Sequence, residues 1–389
     1  MTGFLFQNVL RPLRRTFFFA SFLWPVLAHA EPFRPADDNE VIEQLPPSPV
    51  RSVDKTLDGD APDPILAARL ARAFVERNRR TGDSRLLGYA QGVLTPWWNH
   101  DDAPDPVLMM RAILRQAHHD FDGALLDLNR LLERSPDNGQ AWLTKATVLR
   151  VQGHFTQARE ACGKLDASRN EVVYSICSIS MRGLGGRLAS ARKEFATLKT
   201  KIQRQPDNIA AWYYAERGDA EVRAGDIEAA LSTYQYATHR FSEDLDLLAA
   251  YADLLLQEHK YGDVFAVIPS DTTVDALRLR RALAAKALQD PSFKEMDRRI
   301  RAGFKASRAR GEALHIREEA RYRLAMEDPV EKIIPLAVAN WEVQREAWDA
   351  RILIDCANRA GNSKLARPVQ EWLRKTGYED VRLPPVARP

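Results

Sequence analysis

The residues best suited to bind something stand in the last quarter of the chain. A polar stretch from Arg308 to Arg321 is followed by Trp341, Gln344, Arg345, Glu346, Trp348, Asp349 and Arg351. If Ala320 takes the small packing place of a helix, Arg317 and Arg321 point from that helix into a concave face. Trp348 and Arg351 then join them there from the next unit. Arginine beside tryptophan is the composition that anchors protein partners. The alternative is an Arg–Glu network that only stabilises the array. A second basic surface is written by Arg69, Arg72, Arg79 and Arg80, which is otherwise a solvated helix face.

Other chemistry is thinner. Cys162 and Cys177 lie on neighbouring helices that pack together in a helical array, so they form either a disulfide or two buried thiols. Cys356 is left over, and no Cys-x-x-Cys spacing supports thiol–disulfide catalysis. His118, His119 and His154 fall at turns of adjacent units and would be the ligands of a metal edge, yet no metal-site motif accompanies them. Glu318 and Glu319 offer acids of the kind a helical glycan lyase uses, with no catalytic signature beside them. Nucleophile elbows, Walker loops, dinucleotide fingerprints and kinase motifs are missing from the sequence. The expectation is no enzyme, no metal and no cofactor.

These side chains must be held by helices, because one pattern is written twice at a spacing of 34 residues between Asp105 and Asn170. Leu108 is matched by Trp142, Ala112 by Ala146, Leu114 by Val148, Phe121 by Phe155, Ala124 by Ala158 and Leu128 by Cys162. Each copy reads as two amphipathic helices and a tight turn. Small residues let the backbones approach and large ones fill the gaps. One such hairpin cannot bury its apolar face alone, whereas a tandem array can.

The period, the aromatic opening, the small residue four places on and the Phe-x-x-Ala step resemble the tetratricopeptide repeat. Pro136 closes the first copy as that family's units close, and Ala112 and Ala146 stand where the family has glycine. The resemblance implies a right-handed superhelix of helix pairs with a concave groove that holds other proteins or peptides. Looser units follow at 171–203, 209–242 and 245–268. Three more pairs are expected at 275–288 with 292–309, 312–327 with 329–344, and 347–360 with 363–375. Pro335 should kink or break its helix. The reading is all-α, with about nine antiparallel pairs over 63–376. A tail, 377–389, leaves the array.

The first residues are a separate object. Arg11, Arg14 and Arg15 precede the apolar run Phe17 to Leu27, which ends in Ala28-His29-Ala30. This predicts a secretory signal peptide over 1–30, with an uncleaved anchor as the alternative. The run is shorter than the ~20 residues a stable span needs. A Pro-rich extended arm is expected over 31–62, and the mature chain is expected in the periplasm. The whole chain has 56 basic and 53 acidic residues, and three of the arginines lie in 1–30, so the mature balance is neutral. Neutrality argues against general nucleic-acid binding. The function expected is a scaffold or assembly factor that holds another envelope protein or peptide in its groove. The alternative is an accessory of a metal or cofactor pathway, and beyond that a helical glycan-acting enzyme.

Overall fold

A computed structural model describes residues 63–166, 170–309 and 316–383. The expected signal peptide and Pro-rich arm lie outside the described residues, as does the start at 312 expected for one helix. Among the described residues there are eighteen α-helices and no strand. They fall into nine consecutive pairs: α1 (Pro64–Thr81) with α2 (Arg85–Val93), α3 (Asp105–Ala117) with α4 (Phe121–Arg134), and α5 (Gly139–Val151) with α6 (Phe155–Cys162). Next come α7 (Glu171–Leu184) with α8 (Leu188–Ile202), α9 (Asp207–Arg223) with α10 (Ile227–Arg240), and α11 (Leu245–Gln257) with α12 (Tyr261–Val267). The last are α13 (Asp275–Ala287) with α14 (Phe293–Ala309), α15 (Ile316–Ala325) with α16 (Ile334–Val343), and α17 (Ala347–Arg359) with α18 (Arg367–Thr376). The first helix of each pair also packs on the first helix of the next, from α1 through α17. The odd-numbered helices therefore form one continuous layer.

Local chemistry explains where the helices begin and turn. Asp63, Asp120, Asn138, Asn170, Asp226 and Asp244 each accept a hydrogen bond from a first-turn amide of the helix that follows. The turn inside every pair holds one residue of positive φ, a glycine in five of them and His119, His259, Gln289 or Glu327 in the rest. That left-handed residue reverses the chain in a few residues. Pro335 marks a break in the expected 329–344 helix and not a kink. It stands in the first turn of α16, just after the 3-10 turn Val330–Lys332, where its missing amide costs no hydrogen bond.

Packing follows the small-and-large pattern. Ala112, Ala124 and Ala158 are fully buried, with Phe121 and Phe155 wedged beside them. Gly218 is a further case, since a Cβ there would lie 2.6 Å from the Tyr234 ring. The turn at Pro96-Trp97-Trp98 is fastened from inside. Arg111, 1% exposed, bonds both carboxylate oxygens of Asp127 and donates to the carbonyls of Trp97, Trp98 and His100.

Cys162 and Cys177 are joined, linking α6 to α7 with Cα atoms 5.7 Å apart, and Cys356 is a buried free thiol. The closed loop of 15 residues predicts that replacing both cysteines by alanine lowers stability by about 3 kcal/mol on the chain-entropy account. Chemical denaturation of wild type and variant, each under oxidising and reducing conditions, measures it. Reduction should shift only the wild type.

The array does not stay open. The second half of one apolar cluster is supplied by α15–α18 and Tyr378, and its first half by α5–α7. Arg345 donates its amide to the Val151 carbonyl at 2.8 Å, and Trp372 covers Gly153. The segment after α18 does not leave the array either. Gly377 abuts Gly186, the Val381 side chain covers Gly225, and the Val381 amide donates to the Arg223 carbonyl at 3.0 Å. The intra-pair turns of three successive units are thus crossed by one continuous stretch of chain. At the other end, Gly82 touches Val274 just ahead of α13.

Candidate functional site

Closure leaves a cavity of about 380 Å³ lined mainly by first helices: Arg150 from α5, Asp219 from α9, Asp253 from α11, Arg280 from α13, Arg317 from α15 and Trp348 from α17. Tyr378 and Arg382 wall one side. A second cavity of about 480 Å³ opens between α11, α13, α15 and α17. The two share Asp253, Gln257 and Trp348. Both volumes lie in the range of small-ligand sites, ~300–1,000 Å³.

Charge in this interior is paired rather than one-sided. Asp253 accepts from Arg280 at 2.7 Å and from Arg321 at 3.1 Å and 2.5 Å, with all three side chains nearly buried. Burial alone would raise the Asp253 carboxyl, but the two guanidinium groups outweigh it and hold it below the usual carboxylate range. Asp219 behaves likewise: burial opposes its charge, and Arg223 and Arg382 overcome it. Asp246, at the start of α11, is exposed at the edge of the cavity with no ion pair among the described residues.

Arg317 turns to its own neighbours. It bonds Asp349 at 2.6 Å and Glu346 at 2.7 Å. Burial pushes Asp349 up to about 6 against the pull of Arg317, with the Glu346 carboxylate adding to the rise. A raised carboxyl beside a cavity is what general acid catalysis needs. Here, however, the Asp349 oxygens already accept from the Arg317 Nε and Nη2, the Asn340 amide and the Glu346 backbone amide. That last bond caps α17. The group has no lone pair left to offer a substrate, and its work is architectural. Glu319 is similarly tied, to Arg308 and Arg323, while Glu318 borders the first cavity.

Three of the four groove residues read from the sequence come together. The Arg321 guanidinium lies 3.7 Å from the Trp348 ring centroid, and that of Arg351 lies 5.0 Å from it. Arg317 stands one turn away on α15 in the Glu346–Asp349 network. Arg69, Arg72, Arg79 and Arg80 are all exposed on α1, far along the array in sequence. Arg79 also contributes to the field at Asp246. His119 stacks on Phe121 at 5.6 Å and His154 precedes α6. Among the described residues no group of three or more His, Cys, Asp or Glu is placed to hold a metal ion. No helix among them is long and apolar enough to cross a membrane.

Asp253 and Arg280 escaped the sequence reading. A signal was present: Asp219 and Asp253 are separated by one 34-residue period, and each follows the small packing residue, Gly218 or Ala252. Arg321 follows Ala320 in the same way. The place after the small residue is the one that faces the interior at these three units.

The fold and site define a class: an all-α solenoid of helix pairs whose inner layer lines a charge-paired interior that opens to solvent. No family profile matches the chain, and no curated protein matches it.

Proposed function

We propose that this chain is a protein-binding scaffold or assembly factor of the bacterial cell envelope, a tetratricopeptide-type solenoid exported by its N-terminal signal peptide. The repeat pattern and the apolar segment before Ala30 support the class and the location. The observation that carries the binding role is Trp348, half-buried, flanked by Arg321 and Arg351, and placed in the wall common to both cavities. An aromatic–arginine anchor beside a concavity is where interface energy concentrates. Because the chain's own last pairs fill part of the inner face, the partner presents a side chain or short segment at this mouth. A long helix laid along an open groove does not fit that geometry.

The test is crosslinking capture from periplasm with the mature protein and with a Trp348→Ala, Arg351→Ala variant of unchanged helicity. A specific protein captured by the first and lost with the second is the expected result. Identical capture by both removes this mouth from the binding surface and leaves the α1 arginines as the next candidate.

A further inference from the structure

The second cavity differs in character from the first. Its floor is apolar, with Leu256, Leu283, Leu324 and Ile352, and its aromatic walls are Tyr261 and Trp348. Its rim is cationic, with Lys286, Arg351 and Arg359. Lys286 spends one of its donors on the Ala325 carbonyl, at 2.6 Å. Arg351 lies over the Trp348 ring and has a long contact of 3.9 Å to Asp355, and Arg359 is exposed with no ion pair among the described residues. The other charged pair at this cavity, Arg321 with Asp253, is internally satisfied. Asp355, between the two arginines on α17, also lines the cavity, so three cations stand against one carboxylate and the rim carries net positive charge above an apolar floor.

We infer that this cavity is a recognition pocket for an acidic peptide segment that inserts an apolar side chain between α11, α13, α15 and α17 and sets its carboxylates against Arg351, Arg359 and Lys286. The inference rests on the reading of the chain as a binding module and names the chemistry of its partner. Charge complementarity selects an acidic ligand, since rim charges steer and discriminate partners. The floor selects an apolar side chain, since Leu256, Leu283, Leu324 and Ile352 offer no side-chain hydrogen bond. The neighbouring cavity selects a peptide over a long acyl chain. Beyond Asp253, Gln257 and Trp348 the path runs into paired charges, where backbone amides find partners and methylenes find none.

The experiment is fluorescence anisotropy of the mature protein with a short fluorescein-labelled peptide in which Leu-Phe is flanked by Glu on both sides, and with its Lys-flanked counterpart. The acidic probe should bind and the basic one should not. Arg351→Glu with Arg359→Glu, both at accessible positions, should weaken binding about tenfold or more. Ala287→Trp, an exposed rim position, fills the mouth without removing a charge and should abolish binding. Failure of the acidic probe to bind, equal binding of both probes, or indifference to Ala287→Trp overturns the inference. So does dodecanoate binding with the same variant dependence where the peptide does not bind. If Trp348→Ala loses the captured periplasmic partner while Ala287→Trp leaves the probe unaffected, the scaffold reading stands and this pocket falls. If neither variant changes anything, both fall.

Discussion

Trp372→Ala is expected to release the last helix pairs from the array while leaving the rest folded. Trp372 is 7% exposed and packs against Phe155, Trp341 and Tyr378, with ring centroids 5.7, 5.5 and 4.9 Å away. Those partners come from α6, α16 and the segment after α18, so one side chain joins three parts of the closure. Truncating a buried tryptophan costs about 3–5 kcal/mol. In a repeat array that loss is felt locally, because units are coupled chiefly to their neighbours. Amide exchange should therefore quicken roughly a hundred- to thousandfold in α16–α18 and residues 377–383, with far-UV circular dichroism nearly unchanged. Protection retained in that region would show that the closure is held elsewhere. Trp372→Phe is the informative companion. The indole N–H is buried with no hydrogen-bond partner among the described residues, so the phenyl ring should retain most of the stability while removing an unsatisfied donor.

Asp253→Ala is expected to be as damaging for a different reason. It leaves the guanidinium groups of Arg280 and Arg321, whose side chains are 10% and 9% exposed, facing each other without their shared carboxylate. Breaking a buried ion pair by removing one partner costs about 3–5 kcal/mol, whereas replacing all members with apolar residues is often neutral. The triple variant Asp253→Leu, Arg280→Met, Arg321→Met should therefore recover much of the loss, and denaturant melts of the three proteins decide it. The pH dependence follows with a definite sign. The folded carboxyl of Asp253 is held below its unfolded value. Its contribution is present above the unfolded value and lost as pH falls through the folded one. Wild type should weaken as pH falls below the ordinary carboxylate range, and Asp253→Ala should show a shallower acid limb. Equal limbs would mean that other carboxylates, Asp219 or Glu346, carry the acid sensitivity.

How far the sequence reached is visible in particular residues. Ala112 with Ala146 and Phe121 with Phe155 announced the helix pairs, because packing inside a pair depends on residues a few turns apart and leaves a periodic trace. The reversals at Gly82, Gly153 and Gly361 are local in the same way: a tight turn demands a left-handed residue, which glycine supplies. The Cys162–Cys177 link was one of two readings, since adjacent helices bring the pair within reach without deciding its state. Trp348, Arg321 and Arg351 share a face by repeat position alone.

What the tertiary structure decided is where that face looks. Asp253 and Arg321 meet across 68 residues, and Arg345 reaches Gln152 across 193. Such meetings depend on the small rotation from each pair to the next, summed over many pairs. No single residue encodes that sum, so the sequence by itself read as an open groove with a departing tail. Once the rotation carries α16–α18 back to α5–α9, the apolar faces of Trp372 and Tyr378 bury against Phe155. Arg317 lines the first cavity while its guanidinium is held by Asp349 of the adjoining unit, a contact between neighbouring helices that needs no return. The helices belong to the local pattern; the charge-paired interior belongs to their accumulated turn.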